Sequence, residues 1–139
     1  IVTGDWSSDV CSSDLLVLLL DQFPRHIWRG KPAAYAGDQQ ALKLSLLAEE
    51  KGWLQHETQR VWRQFWLMPR LHSEDLDVQT QALPLFEQWN DPRTHAVALR
   101  HWEIIRRFGR FPHRNLALKR TSTPDEVQHL QQKSAQSAR

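Results

Sequence analysis

The chain has 139 residues, enough for one domain with a real core, and a composition of 40% hydrophobic and 24% charged residues excludes a disordered polymer. Its longest apolar run, Leu15 to Leu20, is too short to cross a bilayer, so no membrane association is expected. The 18 Lys and Arg against 16 Asp and Glu give a formal charge of +2, which marks neither an acidic tail nor a strongly basic nucleic-acid binder.

Residues 1–15 differ from everything after them. They contain no Lys, Arg or His, repeat Ser-Ser-Asp twice and show no helical or strand period. The stretch Asp5 to Leu15 resembles the translation of a short-read sequencing adapter, in which TCTTCCGATCT reads as Ser-Ser-Asp-Leu. The segment is therefore expected to be a non-native leader on a truncated reading frame, followed by a helical domain over 16–133 and a frayed tail over 134–139. On that reading Cys11 carries no redox information. Without Asp5, Asp9 and Asp14 the remainder has 13 acidic residues against 18 basic ones, a charge of +5. No credible signal peptide is visible, and the cytoplasm is the default compartment.

Leu16 to Gln22 reads as a buried helix stopped by Phe23-Pro24. Pro24 then opens a short helix over Arg25 to Arg29, closed by Gly30. Asp38 is the expected N-cap of the next helix, whose stripe is Leu42, Leu46 and Leu47 and whose stop is Gly52. Val61, Phe65 and Met68 continue the pattern to Pro69. Ser73 is the expected cap of a helix with Leu76, Leu83 and Phe86 inside and a kink at Pro84. Asp91-Pro92 opens the clearest helix, with Val97, His101, Ile104, Ile105 and Phe108 at helical spacing and Gly109 as its stop. Thr123-Pro124-Asp125-Glu126 is a capping box for a last helix to about Lys133. No run alternates over a strand length, so the fold class is all-α, an array of helices packed as antiparallel neighbours.

Three stretches carry unusual polar chemistry: Asp21-Gln-Phe-Pro-Arg25, His72-Ser-Glu-Asp75, and Arg107-Phe-Gly-Arg-Phe-Pro-His-Arg-Asn115. In this order they resemble signature blocks of domain-of-unknown-function family number 924, a bacterial family. The spacing to His101, Ile104 and Ile105 and the Ser122-Thr-Pro block fit the same resemblance, which covers nearly all of Leu16 to Leu130. It implies a helical, tetratricopeptide-like fold and no established activity. His26, where the family often has Asn, Pro84 within a helix, and Lys119, where Gly is common, depart from the pattern.

By residue type, Arg107, Arg110 and Arg114 are planar cationic forks suited to carboxylate or phosphate. His72, with Glu74 or His113, is the candidate for an acid–base role. Asp21, Gln22, Arg25, His101 and Asn115 complete the candidate ligand-binding set. Two readings stay open: one pocket for a small anionic ligand, with hydrolytic chemistry, or ion pairs such as Arg110 with Glu74 or Asp21 that staple helices in a tetratricopeptide-like interaction scaffold. A protein partner would use Trp53, Trp62, Trp66 and Trp89 as anchors. His72, His101 and His113 are types that suit zinc, but their spacing matches no metal motif, and neither metal nor cofactor is expected. Nucleic acid is disfavoured because Phe108, Phe111 and Pro112, which interrupt the basic run, look like core anchors. No Gly-x-Ser-x-Gly turn supports a serine nucleophile. The sequence names no reaction.

Overall fold

The computed structural model describes residues 13–138, and Cys11 with most of the expected leader lies outside them. Residues 13–17 are α-helical and run into a π-helical turn, Leu18–Gln22, which passes directly into α1, Phe23–Ile27. There follow α2 (Asp38–Glu50), α3 (Trp53–His56), α4 (Arg60–Leu71), α5 (Leu76–Trp89), α6 (Pro92–Phe108) and α7 (Pro124–Ser137), with 3-10 turns at Pro32–Tyr35 and Pro112–Arg114. No strand occurs among the described residues, and the all-α array is as expected. α4 packs on both α2 and α5, and α5 on α6.

Phe23-Pro24 does not stop the first helix. An α-turn would need residue 24 to donate to the Leu20 carbonyl, and a proline has no N–H and a ring that crowds that oxygen. The chain passes the obstacle by widening: the Phe23 N–H donates to the Leu18 carbonyl, five residues back. The segment is also not buried throughout. Val17 and Asp21 face inward, whereas Leu15, Leu16 and Leu19 are exposed.

Caps hold where a short oxygen-bearing side chain precedes a proline. Asp91 accepts from the Thr94 N–H at 2.8 Å and Thr123 from the Glu126 N–H at 3.2 Å. Gly109 closes α6 in the left-handed region at φ 73°. Two expected caps move. Asp38 is the first residue of α2 and makes no cap bond, because its carboxylate is taken by Arg25. Asp75, not Ser73, caps α5, accepting from the Asp77 and Val78 N–H groups, while Ser73 Oγ accepts from the Asp75 N–H. α7 continues past Lys133 to Ser137.

The core gathers Val17, Ala48, Leu54, Trp66, Leu67, Leu71, Ala82, Phe86 and Ala98, with Trp53 against Trp66 at 5.6 Å between ring centroids. The buried stripes differ from those expected. α2 turns in Ala41, Ser45 and Ala48 while Leu46 is exposed, and α4 buries Trp66, Leu67, Arg70 and Leu71 while Val61 is exposed. Small residues on α2 let it approach α4 closely. There Arg70 reaches in to bond Ser45 and pair with Glu49 at 2.6 Å. Trp53 and Trp66 belong to this core, Trp89 lies beneath the Arg63 guanidinium at 4.1 Å and Trp62 packs edge-on against Phe65, so all four tryptophans considered as partner anchors have intramolecular packing roles.

Two backbone positions give testable consequences. A Cβ on Gly37 would run into the Leu20 carbonyl oxygen, so Gly37→Ala must push backbone apart. We expect a loss of about 1–3 kcal/mol, read from chemical denaturation. Lys119 adopts φ 55° without being glycine. Lys119→Gly is expected to stabilise by about 0.5 kcal/mol, since relieving a strain of about 1 kcal/mol outweighs the added freedom of the unfolded chain.

Candidate functional site

The end of α4, the π-helical turn, α6 and the segment after α6 meet at one place. Asp21, fully buried on the π-helical turn, accepts three side-chain bonds: from Gln22 Nε2 at 2.6 Å, Arg25 Nη1 at 3.0 Å and His72 Nδ1 at 2.7 Å. Burial opposes its charge, but the bond from His72 and the nearby positive charges outweigh it and hold the carboxyl below its ordinary range. An ionised carboxylate can only accept, so His72 donates from Nδ1 and keeps Nε2 as its free lone pair. Burial, opposed by Asp21 and reinforced by Arg25 and Arg114, lowers the His72 pKa. The dyad is therefore a carboxylate and a neutral imidazole.

Arg25 forks onto Asp38, with Nη1 and Nη2 at 2.8 and 2.9 Å from the two carboxylate oxygens. Arg114 is carried by the 3-10 turn Pro112–Arg114 and is only 6% exposed. Its guanidinium lies 4.7 Å from the Tyr35 ring centroid and 4.6 Å from that of Phe111, donates to the His72 carbonyl at 2.8 Å, and stands 3.6 Å from Asp38. The Arg114 Nε–H has no acceptor among the described residues. His101 donates from Nδ1 to the Leu71 carbonyl at 3.1 Å and packs edge-on against Phe111, which touches His113 on its other side.

These groups border a cleft of about 410 Å³. Arg25, Arg29, Arg114 and Lys133 line it, as do His26, His72, His101 and His113, and among the described residues no Asp or Glu does. Asp21 and Asp38 reach it only through their arginine and histidine partners.

The other expected site residues lie elsewhere. Glu74 accepts from the Phe111 N–H at 2.7 Å and takes a two-pronged bond from Arg120 at 2.9 and 3.1 Å. Arg110 pairs with Glu126 at 3.1 Å, not with Glu74 or Asp21, and Asn115 bridges Glu126, Ser122 and Arg120. Arg107 is exposed, 4.7 Å above its neighbour Phe108, and borders a separate groove. Glu74, Arg110 and Asn115 thus clamp the segment between α6 and α7, while Arg107 belongs to neither group. Among the described residues no group of three or more His, Cys, Asp or Glu is arranged to hold a metal ion, and no helix is long and apolar enough to cross a membrane.

Sequence reasoning missed Tyr35, Asp38, Lys133 and Arg120 as site or clamp residues. Asp38 was legible only as a cap, and Tyr35 gave no signal beyond being the sole tyrosine.

The family described as bacterial proteins of unknown function (DUF924) matches residues 3–134, from inside the expected leader nearly to the end of the chain. The chain belongs to the DUF924 family. It is also similar to a solved structure of a protein of unknown function from Agrobacterium tumefaciens, at 39% identity and a TM-score of 0.82 over 88% of this chain and 69% of that one. No curated protein matches. Family and fold thus agree with the resemblance carried by the three polar blocks.

Burial first, then the charges around it, lowers the His101 pKa to about 4, and desolvation with Lys133 and Arg114 does the same for His113. A histidine whose folded pKa lies below its unfolded one binds its proton preferentially in the unfolded chain. The stability it contributes is complete above about pH 6.5 and is lost as pH falls towards 4. The melting temperature should decline through that window, and His101→Gln should flatten the decline by about one proton's worth of slope. A pH profile with the same slope in the variant would contradict the assignment.

Proposed function

We propose that the cleft binds a small anionic ligand and that His72, backed by Asp21, is its acid–base group. The observation that carries this reading is the lining, which among the described residues combines four permanent cations with four imidazoles and includes no carboxylate. Asp21 and Asp38 stand behind the lining and offset two of those charges, so an excess of positive charge faces the opening. Such a surface attracts anions and offers forked donors to carboxylate or phosphate oxygens. A neutral His72 with its Nε2 lone pair free can take a proton from water or from a ligand hydroxyl, and the ionised Asp21 stabilises the imidazolium that results. This supports hydrolytic chemistry on an anionic substrate. The clamp formed by Glu74, Arg110, Arg120 and Glu126 supports only a structural role for those residues, so the stapling reading applies to that half of the polar set.

The test is thermal stabilisation by inorganic phosphate. The wild type should melt higher as phosphate is raised into the millimolar range. The Arg29→Ala/Lys133→Ala double variant removes two exposed cations that line the cleft, and it should weaken binding about tenfold or more. His72→Asn should leave phosphate binding in place while removing any hydrolysis of phosphate esters. An equal phosphate response in the wild type and the double variant would overturn the reading.

A further inference from the structure

The cleft does not end at His101 and His113. Beyond their rings a second groove, of about 560 Å³, is lined from α6 and α7. His101, Phe111, His113 and Lys133 line both spaces, so the two adjoin across these side chains. Their chemistry differs. Val97, Ile104 and the Phe111 ring give the groove an apolar wall, while Arg100, His129 and Lys133 and the amides of Gln132 and Gln136 make up its polar rim. Among the described residues it too is lined by no Asp or Glu. Its volume is that of an ordinary small-molecule site, and its apolar wall gains by exchanging water for a flat organic group. At the junction the edges and faces of Phe111, His101 and His113 lie 5.2 and 5.5 Å apart by ring centroids, a spacing typical of aromatic neighbours.

The charge balance specifies the other end. Arg25, Arg29, Arg114 and Lys133 carry four positive charges, and Asp21 and Asp38, bonded to the same arginines and to His72, offset two of them. Two uncompensated charges match a dianion better than a monocarboxylate.

Building on the anion-binding reading of the cleft, we infer that the ligand is an organic phosphate monoester, with its phosphate in the cationic cleft and its flat, uncharged body in the α6–α7 groove. Lys133, common to both spaces, stands where the ester link would pass.

Binding of inorganic phosphate, methyl phosphate and phenyl phosphate to the whole chain, followed by calorimetry, tests this. Phenyl phosphate should bind about tenfold tighter than methyl phosphate, from the apolar surface that its ring covers. Gln132 and Gln136 are exposed on α7, so Gln132→Trp and Gln136→Trp fill the groove without disturbing the core. Each should bring phenyl phosphate down to the methyl phosphate affinity while leaving methyl phosphate unchanged. Equal affinities for the two esters in the wild type, or a phenyl advantage that survives both tryptophan variants, would overturn the inference while leaving the anion site standing. Failure of all three phosphates to bind would overturn the anion-binding reading and this inference with it.

Discussion

A carboxylate without access to water organises this end of the molecule. Burying an isolated charge costs several kcal/mol, and the cost is met only if every direction around the oxygens is filled by donors. Asp21 meets that demand with Gln22, Arg25 and His72. Gln22 comes from its own turn and Arg25 from the adjoining α1, but His72 sits 51 residues away at the end of α4. Satisfying Asp21 therefore fixes how the first helical segment lies across the array. Arg25, once held by Asp21, is positioned to fork onto Asp38, and Asp38 in turn faces Arg114. The order of the cleft follows from one desolvated acid.

The polar residues form two groups with different work. Around Asp21 and Asp38 the donors outnumber the acids and an opening remains. Around Glu74 and Glu126 the acids are matched by Arg120, Arg110 and Asn115, and the bonds also reach main-chain atoms of Phe111 and Thr121. The second group holds the irregular stretch between α6 and α7 in shape, and this stretch presents Phe111, His113 and Arg114 to the first. Binding chemistry and structural clamp are neighbours along the chain, which is why residue type alone merges them.

The sequence was legible where the controlling physics is local. Asp91-Pro92 and Thr123-Pro124 marked helix starts because the cap and the proline act within one turn, and Gly109 marked a stop because its backbone needs the left-handed region. It was less legible where partners are distant. Asp38 has the composition of a cap, but a fork from Arg25 outcompetes two backbone N–H groups. Leu46 and Val61 have the composition of core, but the close approach of α2 and α4 is made by Ala41, Ser45 and Ala48. Of the site, Asp21, Gln22, Arg25, His72, His101, His113 and Arg114 were readable as a set from the polar blocks. The assignment of Glu74, Arg110 and Asn115 to a clamp required knowing where Arg120 and Glu126 lie.

The bonds from Glu74 to Arg120 and Phe111 span 46 and 37 residues, whereas α4, α5 and α6 pack on their immediate neighbours. Contacts between consecutive helices close short loops and form early, while those across long stretches of chain wait until their ends have been brought together. The helical array therefore rests on contacts that close short loops, whereas the cleft depends on contacts that tie together distant stretches of the chain, so its shape is sensitive to changes far from it in sequence.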